Sequence, residues 1–191
     1  MHTDVIRKQI RLAWDEEARS GTFASLIRQQ LERAGASPDD DSAADQDILA
    51  SWRSQLDLVP DLLDDLRDGA AAAGVSAHVE PVVQIAESYF LESDDVLPDS
   101  HGVLGLLDDM YLALSLIHAV SEEQRLRAGQ PLLDTDLTDL IDAVRPLFVG
   151  HRRVALDDRI EQALGRPEVA QSIKQLAGMG CVLCVRSRQA A

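Results

Sequence analysis

An all-α fold, a multi-helix bundle around a central helix–loop–helix hairpin, is what this 191-residue sequence predicts. Three observations carry the prediction. Apolar residues recur three and four positions apart in one segment after another, the period of a helix with a buried stripe. Hydrophobic residues make up 46% of the chain and aromatics only 4%, so the core must be Leu, Val, Ile and Ala, which suits closely packed helices. No long apolar–polar alternation appears, which leaves a parallel sheet without strands.

The elements follow in order. Asp4 to Ser20 places Val5, Ile6, Ile10, Leu12 and Ala13 at helical spacing, with Trp14 near the apolar face. Thr22 can cap a second helix through Ala34, whose stripe is Phe23, Leu26, Ile27 and Leu31, and Gly35 ends it. Ala36 to Asp45 combines Pro, Ser and consecutive Asp, which cannot bury anything, and reads as a linker. Asp47 to Leu58 is a third helix. Pro60 belongs in the first turn of a fourth that runs to about Ala73, with Gly74 as its stop.

Ser76 can cap a fifth helix through Phe90, with Pro81 tolerated in its first turn. Glu92 to Gly102 is a loop. Val103 to Arg127 is the longest and most apolar helix, the expected centre of the core. Thr135 to Phe148 is a seventh helix with acids in its first turn, and Pro146 should terminate or kink it. Asp157 to Leu164 and Pro167 to Ala177 are two short helices separated by Gly165. The expected organisation is therefore an N-terminal helical arm over 1–34, an acidic linker over 35–46, a bundle over 47–178, and a C-terminal tail over 179–191.

The formal charge of −15 is unevenly spread. Residues 1–34 carry a net +1, residues 35–148 a net −19, and residues 149–191 a net +3. Such an acidic middle repels phosphate backbones, so no nucleic-acid partner is expected. It also argues against anionic lipid surfaces, so membrane association is not expected. The first ten residues are charged and lack the apolar core of a signal peptide, and the longest apolar run, Met110 to Val120, is interrupted by Ser115 and His118. A cytoplasmic protein is expected, with Cys181 and Cys184 reduced.

One stretch carries a more specific signal. Tyr89 is followed by Ser93, Asp95, Val96, Leu97, Pro98 and Asp99, and then by Leu104, Gly105, Leu107, Asp108 and Asp109, which open an apolar helix. This pattern, over residues 89–120, resembles the YkvA-like family, a family of unassigned function. Asp94 stands where the family has its first Pro, and Ser100 and His101 occupy a spacer that is usually apolar. The resemblance implies a helical hairpin and no particular activity. A weaker echo, Asp57 to Asp61 followed by Leu62, Leu63, Asp64 and Asp65, reads as a degenerate duplication or as chance in a chain rich in Leu and Asp.

The motif has its own physics. Pro98 forces Leu97 out of the helical region and fixes an extended turn. Gly105 inside a helix is costly unless another backbone packs close to it. Asp108 and Asp109 lie on a helix otherwise made of Leu, Met, Tyr and Ala, and acids there need partners. Together with Asp95, Asp99 and His101 they form the one cluster of potential metal ligands, suited to Mg²⁺, Mn²⁺ or Ca²⁺ rather than structural zinc. In the structural alternative, Asp95 and Asp99 cap helix ends while Asp108 and Asp109 bond backbone groups or an Arg.

Other chemical signatures are weaker. Cys181-x-x-Cys184 has zinc or redox spacing, but two ligands do not make a zinc site and no βαβ context accompanies it. No nucleophile elbow or phosphate-binding glycine loop occurs. The expected function is thus a non-enzymatic interaction module that presents an acidic face to a protein partner or to a second copy of itself. The alternative is a divalent-metal-dependent enzyme or metal-binding protein using Asp95, Asp99, Asp108 and Asp109.

Overall fold

The computed structural model describes residues 2–33, 42–91, 102–129, 131–148 and 150–179. Among these the fold is all-α: α1 (His2–Ser20), α2 (Thr22–Arg33), α3 (Ser42–Ala72), α4 (Ser76–Leu91), α5 (Val103–Ala128), α6 (Thr138–Val144), α7 (His151–Leu164) and α8 (Pro167–Gly178). A 3-10 turn, Arg145–Leu147, follows α6 and contains Pro146, whose ring and missing N–H end regular helix there.

α5 is the axis of the bundle. Helices α1, α3, α4, α6, α7 and α8 all pack against it. Of its 26 residues 17 are buried, on every side of the helix, as the absence of a polar face in its sequence requires. By length and composition α5 could cross a membrane, with a hydropathy of 1.6 over its most apolar window, and 78% of that window is buried against the other helices.

Helix α3 departs from the sequence expectation. It is one helix where the sequence reads as two, and it opens at Ser42, inside the stretch read as linker. Pro60 lies within it and is buried. Leu56, Val59, Leu63 and Leu66 fall three and four residues apart on both sides of Pro60, and all are buried in the core. That continuous stripe holds the helix together across a residue that removes one backbone hydrogen bond. Pro81 similarly sits in the second turn of α4 rather than the first.

The first helix buries most of the stripe expected of it, but not all. Ile6, Ile10, Ala13 and Trp14 are buried, whereas Val5 and Leu12 are exposed. Thr3 and Glu17 extend the same stripe at both ends, so two polar residues disguise its true phase. Helices α1 and α2 contribute to the same continuous core as the rest of the bundle. Arg7 fastens α1 to α3 from outside, donating to Asp61 and Asp64 at 2.8 Å each.

Two further boundaries shift. α7 starts at His151 instead of Asp157, directly after Gly150, whose φ of +62° suits a residue without a side chain. Its first turns carry no buried residue before Leu156, so no apolar stripe marks them. α6 starts at Thr138 instead of Thr135, where the Asp136 carboxylate accepts the Thr138 N–H at 2.9 Å.

Candidate functional site

Asp108 and Asp109 are the sixth and seventh residues of α5, which Val103 opens. Consecutive helical residues point roughly 100° apart, so the two carboxylates cannot share one environment. Both are nevertheless buried, at 0% and 2% exposure, because neighbouring helices wall α5 on every side. Neither carboxylate is without a partner. The other members of the predicted ligand set, Asp95, Asp99 and His101, lie outside the described residues, as do Cys181 and Cys184. Among the described residues no three His, Cys, Asp or Glu side chains converge as metal ligands.

Several other polar groups in the interior work as ties between helices. The Arg67 guanidinium on α3 reaches the Glu87 and Glu80 carboxylates on α4, and Glu87 is completely buried. Glu87 first, and Glu80 after it, hold the guanidinium more firmly protonated than usual. Glu17, at the end of α1, accepts the Phe23 N–H at 2.9 Å and the Ala24 N–H at 3.0 Å. It thereby caps α2 from the preceding helix, where the sequence pointed to Thr22. Ser121 Oγ accepts the Leu132 and Leu133 N–H groups and anchors the segment after α5. The Tyr111 hydroxyl donates to Asp157 at 2.9 Å and joins α5 to α7.

The surface offers two places that the interior does not use up. The first is an acidic edge. Asp134, Asp136, Asp139 and Asp142 are exposed, and no basic residue interrupts Pro131 to Val144. Beside this edge a cleft of about 290 Å³ opens between α5 and the segment before α6. Pro131, Leu133 and Leu137 give it apolar wall, and half-buried His118 with Glu122, Arg125, Asp134 and Asp136 gives it a polar rim. Two carboxylates of that rim, Glu122 and Asp136, are held below the usual range. Glu122 is lowered chiefly by its hydrogen bonds from Arg125, and Asp136 by those from Thr138.

The second is a groove of about 470 Å³ where α1, α2 and the first half of α3 meet. Trp14 and Arg53 stand at its side, with the guanidinium carbon 6.0 Å from the indole ring centre. Trp14 packs edge-on against Phe23, and Phe23 against Trp52, which fixes the indole in place. Sequence reasoning identified neither place. The edge was visible as charge, but its convergence on a cleft depends on Ser121 pulling the 131–137 segment back onto α5. Comparison of the chain with protein-family models, curated proteins and solved structures finds no match.

Proposed function

We propose that this chain is a non-enzymatic protein-interaction module whose acidic edge, Asp134 to Asp142, receives a basic segment of a partner protein. One observation carries the reading. Four carboxylates project from a segment of 14 residues that holds no cation, next to a cleft with apolar walls. A Lys or Arg side chain combines a charged head with an apolar stem, and such a cleft suits both parts. The interior polar groups described above are engaged in joining helices, which supports a scaffold rather than a reaction centre. Binding of a lysine-rich peptide to the native chain and to a chain with a neutralised edge tests the proposal. A charge-driven site loses affinity on neutralisation and in salt.

A second reading is favoured by the complete burial of two adjacent carboxylates. In it, Asp108 and Asp109, with Asp95, Asp99 and His101, hold a divalent cation such as Mg²⁺, Mn²⁺ or Ca²⁺. Melting Asp108→Asn and Asp109→Asn with and without EDTA separates it from a structural role. On the structural reading Asn keeps most of the hydrogen bonding and no melt responds to chelation. On the metal reading the parent is stabilised in a chelator-sensitive way and an Asn variant loses that stabilisation.

A further inference from the structure

We propose that the acidic edge of one copy receives the first turn of α7, His151 to Val154, of a second copy, in a two-fold symmetric dimer. The inference rests on the reading of the edge as a site for a basic segment, and it names the segment.

The start of α7 breaks a rule that helix ends obey. The positive end of a helix favours acids, yet the first turn of α7 holds none and carries His151, Arg152 and Arg153 instead. Gly150 before it offers no side-chain cap. All three side chains are exposed, and the two arginines are the only adjacent pair in a chain of net charge −15. Arg152 makes no ion pair among the described residues, and Arg153 reaches Asp157 only at 3.9 Å. Val154, next to them, is 59% exposed, the one large hydrophobic side chain left in water among the described residues from Pro131 to Gly178. Local rules are broken in this way where a function requires it.

The edge presents the matching deficit. Asp139 and Asp142 stand three residues apart on α6 and so share a face. Both are exposed and make no ion pair among the described residues. The neighbouring cleft, walled by Pro131, Leu133 and Leu137, offers Val154 of the other copy an apolar seat.

Placement makes the partner a second copy. Tyr111 and His118 are seven residues apart on α5, so they lie on one face, roughly 10 Å apart along the helix. His118 lines the cleft, and Tyr111 holds α7 through Asp157. The charges of Arg145, just after α6, and of Arg153 both reach the Tyr111 phenol, and Phe148 packs against its ring. The acidic edge and the basic turn are thus neighbours on one side of the bundle. A two-fold axis between them lays each against its opposite in the other copy, so every contact is made twice. An unrelated basic partner would fill the edge and leave the basic turn unanswered.

Sedimentation equilibrium of the full chain tests the dimer. The native chain should dimerise with a Kd on the order of 10 µM in low salt, and at least about tenfold more weakly in about 0.5 M salt. Arg152→Glu/Arg153→Glu and Asp139→Lys/Asp142→Lys should each stay monomeric, because like charges then face each other at both contacts. An equimolar mixture of the two variants should dimerise again, since every contact in the mixed pair joins opposite charges. Circular dichroism verifies that each variant is folded. A native chain that is monomeric at about 200 µM overturns the proposal. So do variants that dimerise like the native chain, or a mixture that stays monomeric. A monomeric chain whose edge still binds a lysine-rich peptide would overturn this inference alone, whereas one that binds no such peptide would overturn the reading of the edge as well.

Discussion

The Arg67 guanidinium meets the Glu87 carboxylate fork to fork, Nη1 to Oε1 at 2.6 Å and Nη2 to Oε2 at 2.7 Å. The carboxylate is wholly withdrawn from solvent, while Arg67 keeps some contact with it and also holds Glu80 at 3.1 Å. The pair therefore fixes the height of α4 against α3, because no other register satisfies a buried Glu87.

Removing one partner should be far worse than removing both. Arg67→Ala is expected to cost about 3–5 kcal/mol, since it strands a buried carboxylate. Arg67→Met combined with Glu87→Leu should recover most of that loss, because an apolar pair of similar volume carries no desolvation penalty. Urea melts of Arg67→Ala and of the double variant measure the difference. A double variant as unstable as Arg67→Ala would mean that the pair supplies net stability beyond its mutual compensation.

The Glu17 cap predicts a local effect. Glu17→Ala leaves the Phe23 and Ala24 amides without an acceptor and should cost about 1–2 kcal/mol. The loss should appear first in α2, as faster amide exchange at Phe23 and Ala24 relative to α5. Uniform acceleration across the bundle would show that α2 unfolds only with the whole.

Tyr111 predicts the alkaline limb of stability. Burial first, and the hydrogen bond to Asp157 second, hold its phenol above its ordinary value of 10.0. A group raised in the folded state contributes stability that is fully present below its unfolded pKa and disappears as pH rises through the folded one. Unfolding free energy should accordingly fall above about pH 10, and Tyr111→Phe should flatten that fall. Absorbance at 295 nm should show a phenol that ionises late in the folded chain and normally in urea. An unchanged alkaline limb in Tyr111→Phe would assign the loss to other groups.

The central position of α5 predicts large packing losses. Leu107→Ala and Leu116→Ala remove side chains with no exposed surface and should each cost about 2–5 kcal/mol in urea melts. Losses under about 1 kcal/mol at both would place α5 at the periphery.

How much of this was legible in the sequence depends on which signal each feature needed. α5 was readable because its stretch from Met110 to Ser121, with no Asp, Glu, Lys or Arg, admits no solvent-facing side, and its bounds fall within a residue of those expected. Helix α3 was misread as two because Pro60 is a local breaker, whereas the stripe from Leu56 to Leu66 that overrides it is a tertiary matter. Glu17 and Arg67 were unreadable as ties, since their partners lie on other helices and the residues look like ordinary surface charge. Of the predicted ligand set, the burial of Asp108 and Asp109 followed from the apolar helix that bears them. The convergence of Trp14 and Arg53 on one groove needed the α1–α3 packing, which no spacing in the sequence encodes.

Fluorescence anisotropy of a lysine-rich peptide reports binding at the acidic edge. Three chains are compared at low and physiological salt: native, Asp134→Asn/Asp136→Asn/Asp139→Asn/Asp142→Asn, and a control of equal net charge, Asp15→Asn/Asp158→Asn/Glu161→Gln/Glu168→Gln, altered at exposed positions elsewhere. The edge variant should bind at least about tenfold more weakly than native, and the control should lose no more than about threefold. Equal losses in the two variants would show that the peptide senses only net charge, and the assignment of function to the edge would be contradicted.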